Sequence, residues 1–183
     1  MFLATTIARV EELNELLSLQ QKYLRGVTPG IEEKEQGFLT VSHNLNILEQ
    51  MHSLQPSVIV KYNDTIVGYA LVVKQECRDI IPVLLPMFEH LDKITYKNKL
   101  LKNYSYYVMG QVCVDKPFRS KGVFDMLYQK HRELFKDDFD FVITEISTSN
   151  HRSLNAHKRV GFKTIDIFKD ETDEWEIVLW DWS

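Results

Sequence analysis

The chain has 183 residues, of which 44% are hydrophobic and 26% charged, so it can bury one sizeable core and does not require a second domain. We therefore expect residues 1–183 to form a single domain. The formal net charge of −4 lacks the basic excess that neutralises phosphates, so we expect no nucleic-acid partner.

The cysteines indicate whether a metal site or disulfides are expected, and the N-terminal segment indicates whether a membrane partner is expected. Cys77 and Cys113 are the only cysteines and do not have metal-ligand spacing, which argues against a metal site and a disulfide framework. The start MFLATTIARVEELNELL lacks a basic region followed by a long apolar run, and no stretch approaches ~18 apolar residues. We expect no membrane partner and a cytoplasmic location.

The first half of the chain alternates strand and helix patterns. The predicted elements are a strand at residues 2–8, an amphipathic helix at 10–25, a loop at 30–40, a helix at 42–53 that Ser42 could cap, and two strands within 57–77. The last two strands are joined at Asn63 and Asp64, which favour a turn.

Residues 78–103 carry many apolar side chains and two prolines. Pro82 and Pro86 restrict where a helix can begin, and we predict one from about Val83 to Ile94. An ordinary packing helix is the simplest interpretation. A pocket wall or a homodimer contact is the open alternative, because so much apolar surface must be covered.

The second half predicts strand, helix, strand, helix and a closing hairpin. These elements lie at residues 103–115, 122–135, 139–149, 150–160 and 162–182, the hairpin turning at 170–173. Gly110 interrupts the first strand, where a bulge or a close backbone approach is expected. The order of elements predicts a mixed α/β sheet.

The loop before the second-half helix combines positive charge with glycine. Arg119, Ser120, Lys121 and Gly122 occupy this turn, where free backbone N–H groups and the helix dipole favour an anion. Gly122 lets the backbone approach an oxygen closely. By itself the pattern is weak, and a solvated loop remains the alternative.

Two motifs follow each other in this half. The first is R-x-x-G-x at residues 119–123, and the second is N-x-x-S-x-N-x-H-x-x-x-G-F at residues 150–162. In this order the pair resembles the GNAT superfamily of acetyl-CoA-dependent N-acetyltransferases, whose motifs are usually Q/R-x-x-G-x-G/A and N-x-x-A-x-x-x-Y-x-x-x-G-F. The likeness is close over residues 104–168. It implies a mostly antiparallel central sheet with one splayed parallel pair and helices on both faces.

The resemblance also implies acetyl-CoA as acyl donor and gives the positions that would bind it. The matching residues are Val112, Cys113, Val114, Arg119, Ser120, Lys121, Gly122, Val123, Phe124, Asn150, Ser153, Asn155 and His157. Backbone amides of the loop would hold the pyrophosphate, and the strand and Asn150 would hold the pantetheine arm. Asn150 can also cap the helix, and packing is the alternative role for Ser153. Phe124 and His157 depart from the family pattern, since they replace a small residue and a tyrosine.

The family's reaction is direct attack of an amine on the thioester. A charged His157, with an ordinary pKa near ~6.5, could protonate the departing thiolate, and a buried structural histidine is the alternative. Glu145 and Glu35 are the candidate bases, although each could be a surface carboxylate and a water chain could serve instead. Gln111 could position substrate or water. The N–H of Val112 would stabilise the carbonyl oxygen.

The sequence therefore favours an N-acetyltransferase acting on a primary amine, which could be a small metabolite, a peptide terminus or a lysine. The acidic run Glu32, Glu33 and Glu35 could attract a cation, or be merely solvated. We expect Cys113, within an apolar strand, to be inert rather than a nucleophile. A non-catalytic acyl-CoA-binding sensor with the same fold is the alternative function.

Overall fold

The computed structural model describes residues 1–24, 26, 39 and 41–182. Within this part the strands are β1 (Phe2–Thr6), β2 (Val58–Tyr62), β3 (Thr65–Val73), β4 (Thr95–Tyr96), β5 (Lys99–Leu100), β6 (Tyr106–Val114), β7 (Phe141–Ser147), β8 (Lys163–Lys169) and β9 (Glu174–Asp181). The helices are α1 (Val10–Gln21), α2 (Leu45–Leu54), α3 (Leu85–Leu91), α4 (Val123–Phe135) and α5 (His151–Val160).

A seven-stranded sheet, ordered β1-β2-β3-β6-β7-β9-β8, divides the protein into layers. Of these strand pairs, β6 with β7 is parallel and the others are antiparallel. Alternate residues of β2 lie in the hydrophobic cores on opposite faces of the sheet. Ile59 packs in the core that contains residues of α1, α2 and α3, whereas Val58 and Val60 pack in the core that contains residues of α4 and α5. The predicted mixed sheet with helices on both faces is confirmed.

Strand β6 carries a bulge at Gly110. Leu71 of β3 pairs with Gln111 and Val72 pairs with Met109, so Gly110 has no partner in the register. A Cβ at this position would lie 2.3 Å from Cγ2 of Val73, which explains the glycine. The expected bulge and the expected close approach are both confirmed.

The parallel pair separates just before this bulge. Its register runs from Tyr106 opposite Phe141 to Val108 opposite Ile143 and then stops. Beyond that point the hydroxyl of Thr144 donates to the carbonyl of Met109 at 2.9 Å. The two strands therefore open into a gap whose walls are their C-terminal halves.

Two local predictions were wrong. The cap of α2 is Asn44 rather than Ser42, because the Oδ1 of Asn44 accepts the N–H of Ile47 at 2.9 Å. The helix expected at 83–94 is a 3-10 turn, Pro82–Leu84, followed by the shorter α3. The chain then turns into the small β4–β5 hairpin, in which Lys97 and Asn98 both have positive φ, as a type I′ turn requires.

Helix α3 mainly packs against the core. Met87, Phe88 and Leu91 are buried in the same cluster as α1 and α2. Val83 and Leu85 stay exposed, and a homodimer contact there stays a prediction. Among the described residues, the helices are too short or too polar to cross a bilayer.

Candidate active site

A cavity of about 560 Å³ lies between β6, the loop 115–122 and the facing sides of α4 and α5. Of the residues that the sequence assigns to the coenzyme, those lining this cavity are Val112, Cys113, Val114, Arg119, Ser120, Gly122, Val123, Phe124, Asn150, Ser153 and Asn155. Lys121 is outside the lining, with its Nζ 5.4 Å from the ring centre of Phe118. The structure thus brings the two motifs together on opposite walls.

The loop reaches α4 through unusual backbone angles. Ser120 has φ +60°, and Gly122, which precedes α4, has φ +79°. No atom of the described residues lies within 4 Å of the place where a Cβ of Gly122 would be, so this position leaves open space at the start of the helix. Gly122 is also the N-cap residue of α4 and has no side chain with which to cap it. The first N–H groups of the helix therefore have space in front of them, as the binding of an anion would require.

Tyr23, which the sequence analysis did not identify, lies just after α1 and contacts the loop 115–122 through its hydroxyl group and its ring. Its hydroxyl donates to Oδ1 of Asp115 at 2.7 Å and accepts the N–H of Lys116 at 2.7 Å. Its ring lies 4.6 Å from the guanidinium carbon of Arg119. These contacts join residues more than 90 positions apart, so no local sequence signal could have identified them.

Helix α5 forms the opposite wall. Asn150 caps it, because its Oδ1 accepts the N–H of Ser153 at 3.1 Å, as the sequence suggested. Arg152 and Arg159 also line the cavity and were missed. They flank Asn155 at offsets of three and four residues, and this helical spacing is the signal that could have found them.

A second cavity, of about 90 Å³, fills the gap between the separated strands. Its lining includes Gln111, Glu145, Ser153 and His157. Burial, reinforced by the charge of Asp170, raises the pKa of Glu145 to about 7. The Oε2 of Glu145 is buried and has no hydrogen-bond partner among the described residues. A carboxyl with this pKa exchanges protons readily near neutral pH.

His157 is fixed by its neighbours. Its Nδ1 lies 2.8 Å from the carbonyl of Ser153, so Nδ1 carries the proton, and Nε2 accepts the hydroxyl of Tyr128 at 2.5 Å. Burial lowers its pKa to about 4, and the side chain is 2% exposed. At neutral pH the imidazole is uncharged. This geometry matches the buried structural alternative and does not supply the charged acid that the sequence suggested.

The side-chain amide of Gln111 forms hydrogen bonds with other groups of the protein. Its Oε1 accepts from Nε2 of Gln20 at 2.8 Å and from the hydroxyl of Tyr69 at 2.6 Å, while its Nε2 donates to the carbonyl of Val41 at 2.8 Å. Gln20 in turn accepts the backbone N–H of His43 at 2.9 Å. Gln111 therefore holds the segment before α2 against the sheet.

Two predicted residues remain, Cys113 and Glu35. Burial raises the pKa of Cys113 to about 12, so its thiol is protonated near neutral pH, as expected for an inert cysteine. Glu35, the other candidate base, lies outside the described residues, as do Glu32 and Glu33. Among the residues that are described, no cluster of His, Cys, Asp and Glu could hold a metal ion.

The chain is a mixed α/β protein whose parallel strand pair separates beside a helix start with free N–H groups, an arrangement that suits an extended, phosphate-bearing ligand. A model of the Acetyltransferase (GNAT) family matches residues 13–162, and the chain belongs to this family of acetyltransferase enzymes. Acetyl-CoA is the family's acyl donor, as the resemblance implied. No curated protein sequence matches the chain.

Solved structures share this fold at low sequence identity. An N-acetyltransferase from Staphylococcus aureus Mu50 is 15% identical with a TM-score of 0.65, covering 100% of this chain and 99% of that one. The ribosomal-protein-S18-alanine N-acetyltransferase from Escherichia coli is 11% identical with a TM-score of 0.62, covering 100% and 95%. The protein yncA from Salmonella typhimurium, solved with its cofactor acetyl-CoA, is 12% identical with a TM-score of 0.62, covering 100% and 94%.

Proposed function

We propose that this enzyme transfers the acetyl group of acetyl-CoA to a primary amine by direct attack. The larger cavity would take the coenzyme and the smaller one the reacting amine. The observation that carries this proposal is that the two cavities share Leu39, Val112, Asn150 and Ser153, so they meet where β6 and β7 separate. The base candidate Glu145 lines the smaller cavity.

The larger cavity fits the coenzyme. The open space at Gly122 and the uncapped start of α4 suit a pyrophosphate, which would be held by backbone N–H groups of residues 119–124. Main-chain groups of Val112 and Val114 and the amides of Asn150 and Asn155 suit the peptide-like pantetheine arm. When bound, acetyl-CoA supplies the thioester that the amine attacks.

Glu145 is proposed as the general base. An amine of pKa ~10.4 is almost wholly protonated near pH ~7, and making it neutral costs about 4.6 kcal/mol. A carboxylate whose pKa is raised to about 7 both accepts a proton well and is substantially ionised at that pH. Its Oε2 is buried and has no hydrogen-bond partner among the described residues, so we propose that it takes the proton of the amine through a water that enters the smaller cavity.

The other groups at the site need to contribute less to the rate of the reaction than the base does. The N–H of Val112 is proposed to stabilise the charge that develops on the carbonyl oxygen. A thiol of pKa ~8.5 departs without strong assistance, so no charged acid is required of His157. We propose that His157 orients α5 through Ser153 and Tyr128, both of which it contacts directly.

The test combines binding with turnover. Calorimetry should detect saturable association of acetyl-CoA, and a thiol-release assay with a panel of metabolite amines, peptide termini and lysine peptides should find at least one acceptor that accelerates release at least about a hundredfold. Binding without thiol release from any amine would favour the non-catalytic sensor. Absence of any binding to well-folded protein would exclude the coenzyme site.

A further inference from the structure

Helix α5 presents two arginines to the larger cavity that the proposed coenzyme contacts leave without a role. Arg152 and Arg159 are seven residues apart and lie on one stripe with Asn155 and Ala156, all four lining the cavity. The opposite stripe carries Leu154 and His157, which are buried. The stripe that faces the cavity is therefore the polar, basic side of the helix.

Both arginines are available for an anionic ligand. Arg152 is exposed and forms no ion pair with another residue in the part of the chain that the structure describes. The guanidinium of Arg159 contacts Oδ2 of Asp125 at 2.8 Å, with side chains 59% and 33% exposed. An ion pair this open to solvent contributes little to stability, so a phosphate can replace the carboxylate at low cost.

The loop opposite has fewer available cations than its composition suggests. The Nε of Arg119 donates to the carbonyl of Val114 at 3.0 Å, and its guanidinium stacks on Tyr23. Lys121 lies over the ring of Phe118, outside the cavity lining. The loop therefore offers mainly backbone N–H groups, which match the pyrophosphate. Coenzyme A also carries a ribose 3′-phosphate with a charge of about −1.5 to −2, which needs cations of its own.

We propose that Arg152 and Arg159 bind the 3′-phosphate of the coenzyme and so select coenzyme A over its dephospho form. Asp125 holds Arg159 beside the cavity until the phosphate replaces it. Arginine suits this task because its planar guanidinium donates two parallel hydrogen bonds to phosphate oxygens. This inference rests on the proposed coenzyme site and adds a specificity that the loop and the strands do not provide.

The experiment compares acetyl-CoA with acetyl-dephospho-CoA, which lacks only the 3′-phosphate, by calorimetry. We expect the unchanged protein to bind acetyl-CoA at least about tenfold more tightly, since charge-assisted hydrogen bonds are the strong ones. Arg152→Met and Arg159→Met should each weaken acetyl-CoA binding by about five- to tenfold and leave acetyl-dephospho-CoA binding within about twofold. The matched control is Arg132→Met, on the exposed side of α4, which should change neither affinity.

The Asp125→Asn variant tests whether Arg159 exchanges Asp125 for the ligand or forms an ion pair with it that is purely structural. If Asp125 competes with the phosphate, removing its charge should tighten acetyl-CoA binding by about threefold, the opposite of the Arg159→Met effect. A purely structural pair predicts that both variants weaken binding of both ligands and lower the unfolding temperature together.

The outcomes that overturn the inference differ from those that overturn the coenzyme site. Equal affinity of the unchanged protein for the two ligands, or equal losses for both ligands in the arginine variants, would refute a 3′-phosphate site and leave the coenzyme cavity standing. Failure of the unchanged protein to bind either ligand would refute both. A preference for acetyl-CoA that survives both arginine substitutions would also refute this assignment.

Discussion

The two cavities meet at one point but are built in different ways. The larger one depends on backbone geometry: Ser120 and Gly122 have positive φ, and the turn they form leads into α4, where we propose that the pyrophosphate binds. The smaller one depends on side chains whose ionisation is set by burial, which raises the pKa of Glu145 to about 7 and lowers that of His157 to about 4. The backbone geometry proposed for binding is therefore encoded by neighbouring residues, whereas the proposed proton transfer depends on an environment that several distant segments create.

Replacing the base should produce the largest effect and would test the smaller cavity alone. Glu145→Gln keeps size and polarity but cannot accept a proton, so kcat should fall about 10²- to 10³-fold while the affinity for acetyl-CoA stays unchanged. Thiol release and calorimetry measure the two quantities. In the unchanged enzyme kcat/KM should rise with pH through about 7, where Glu145 ionises. A rate that is independent of pH from about 5 to 8 would rule out this base.

The same substitution should raise stability. Burial raises the folded-state pKa of Glu145 above its ordinary value of 4.5, so ionisation destabilises the folded protein. This penalty is absent below about pH 4.5 and complete above about pH 7. Glu145→Gln should therefore be more stable than the unchanged protein, by up to about 3 kcal/mol at about pH 8, and the difference should vanish near about pH 4. Urea unfolding across this pH range measures it.

The bulge offers the next largest effect, because it lies where β6 leaves β7. Gly110→Ala places a Cβ against Val73, a fully buried residue, and should destabilise the protein by about 2 kcal/mol through overpacking. Adding Val73→Ala removes the atom in the way, so the double variant should lose less stability than the sum of the two single variants. Strict additivity in urea unfolding would mean that the close contact is not the reason for glycine here.

The larger cavity can be tested with a matched pair of glycines. Gly122 and Gly26 have φ of +79° and +83°, and at neither position does an atom of the described residues lie within 4 Å of the place that a Cβ would occupy. Gly122→Ala and Gly26→Ala should each cost about 1–2 kcal/mol of stability, because a left-handed backbone disfavours a side chain. Only Gly122→Ala should also weaken acetyl-CoA binding, by about tenfold, because its methyl group enters the space proposed for the pyrophosphate. Equal affinities in the two variants would contradict the anion site.

The smallest effect on catalysis is expected at His157. His157→Phe should lower kcat by about tenfold at most and leave the shape of the pH profile unchanged, because the imidazole is already neutral near pH ~7. The variant should lose stability, since the buried hydroxyl of Tyr128 loses its acceptor, and adding Tyr128→Phe should restore part of it. Complete loss of turnover with acetyl-CoA binding intact would show that His157 has a chemical role.

Local patterns predicted more of the larger cavity than of the smaller one. The turn at 119–122 and the cap at Asn150 each follow from backbone requirements of neighbouring residues, and both were found in the sequence. For the smaller cavity the sequence indicated the bulge at Gly110 but did not determine the burial of Glu145 and His157. Ser42 was predicted to cap α2 instead of Asn44, because serine and asparagine are both good N-cap residues and the two lie two positions apart. Only the observed start of α2 at Leu45 distinguishes them. The β4–β5 turn was missed because Lys97 and Asn98 lack the usual glycine.

The sequence by itself determined the order of elements, the turn at residues 119–122, the two linked motifs and hence the family. The tertiary structure decided what each polar group does. Tyr23 reaches Asp115, and Gln20 reaches Gln111, across more than 90 residues of chain. The pKa values of Glu145 and His157 depend on burial by several elements at once. Backbone conformation is a property of neighbouring residues, but desolvation and hydrogen-bond partners belong to the assembled fold.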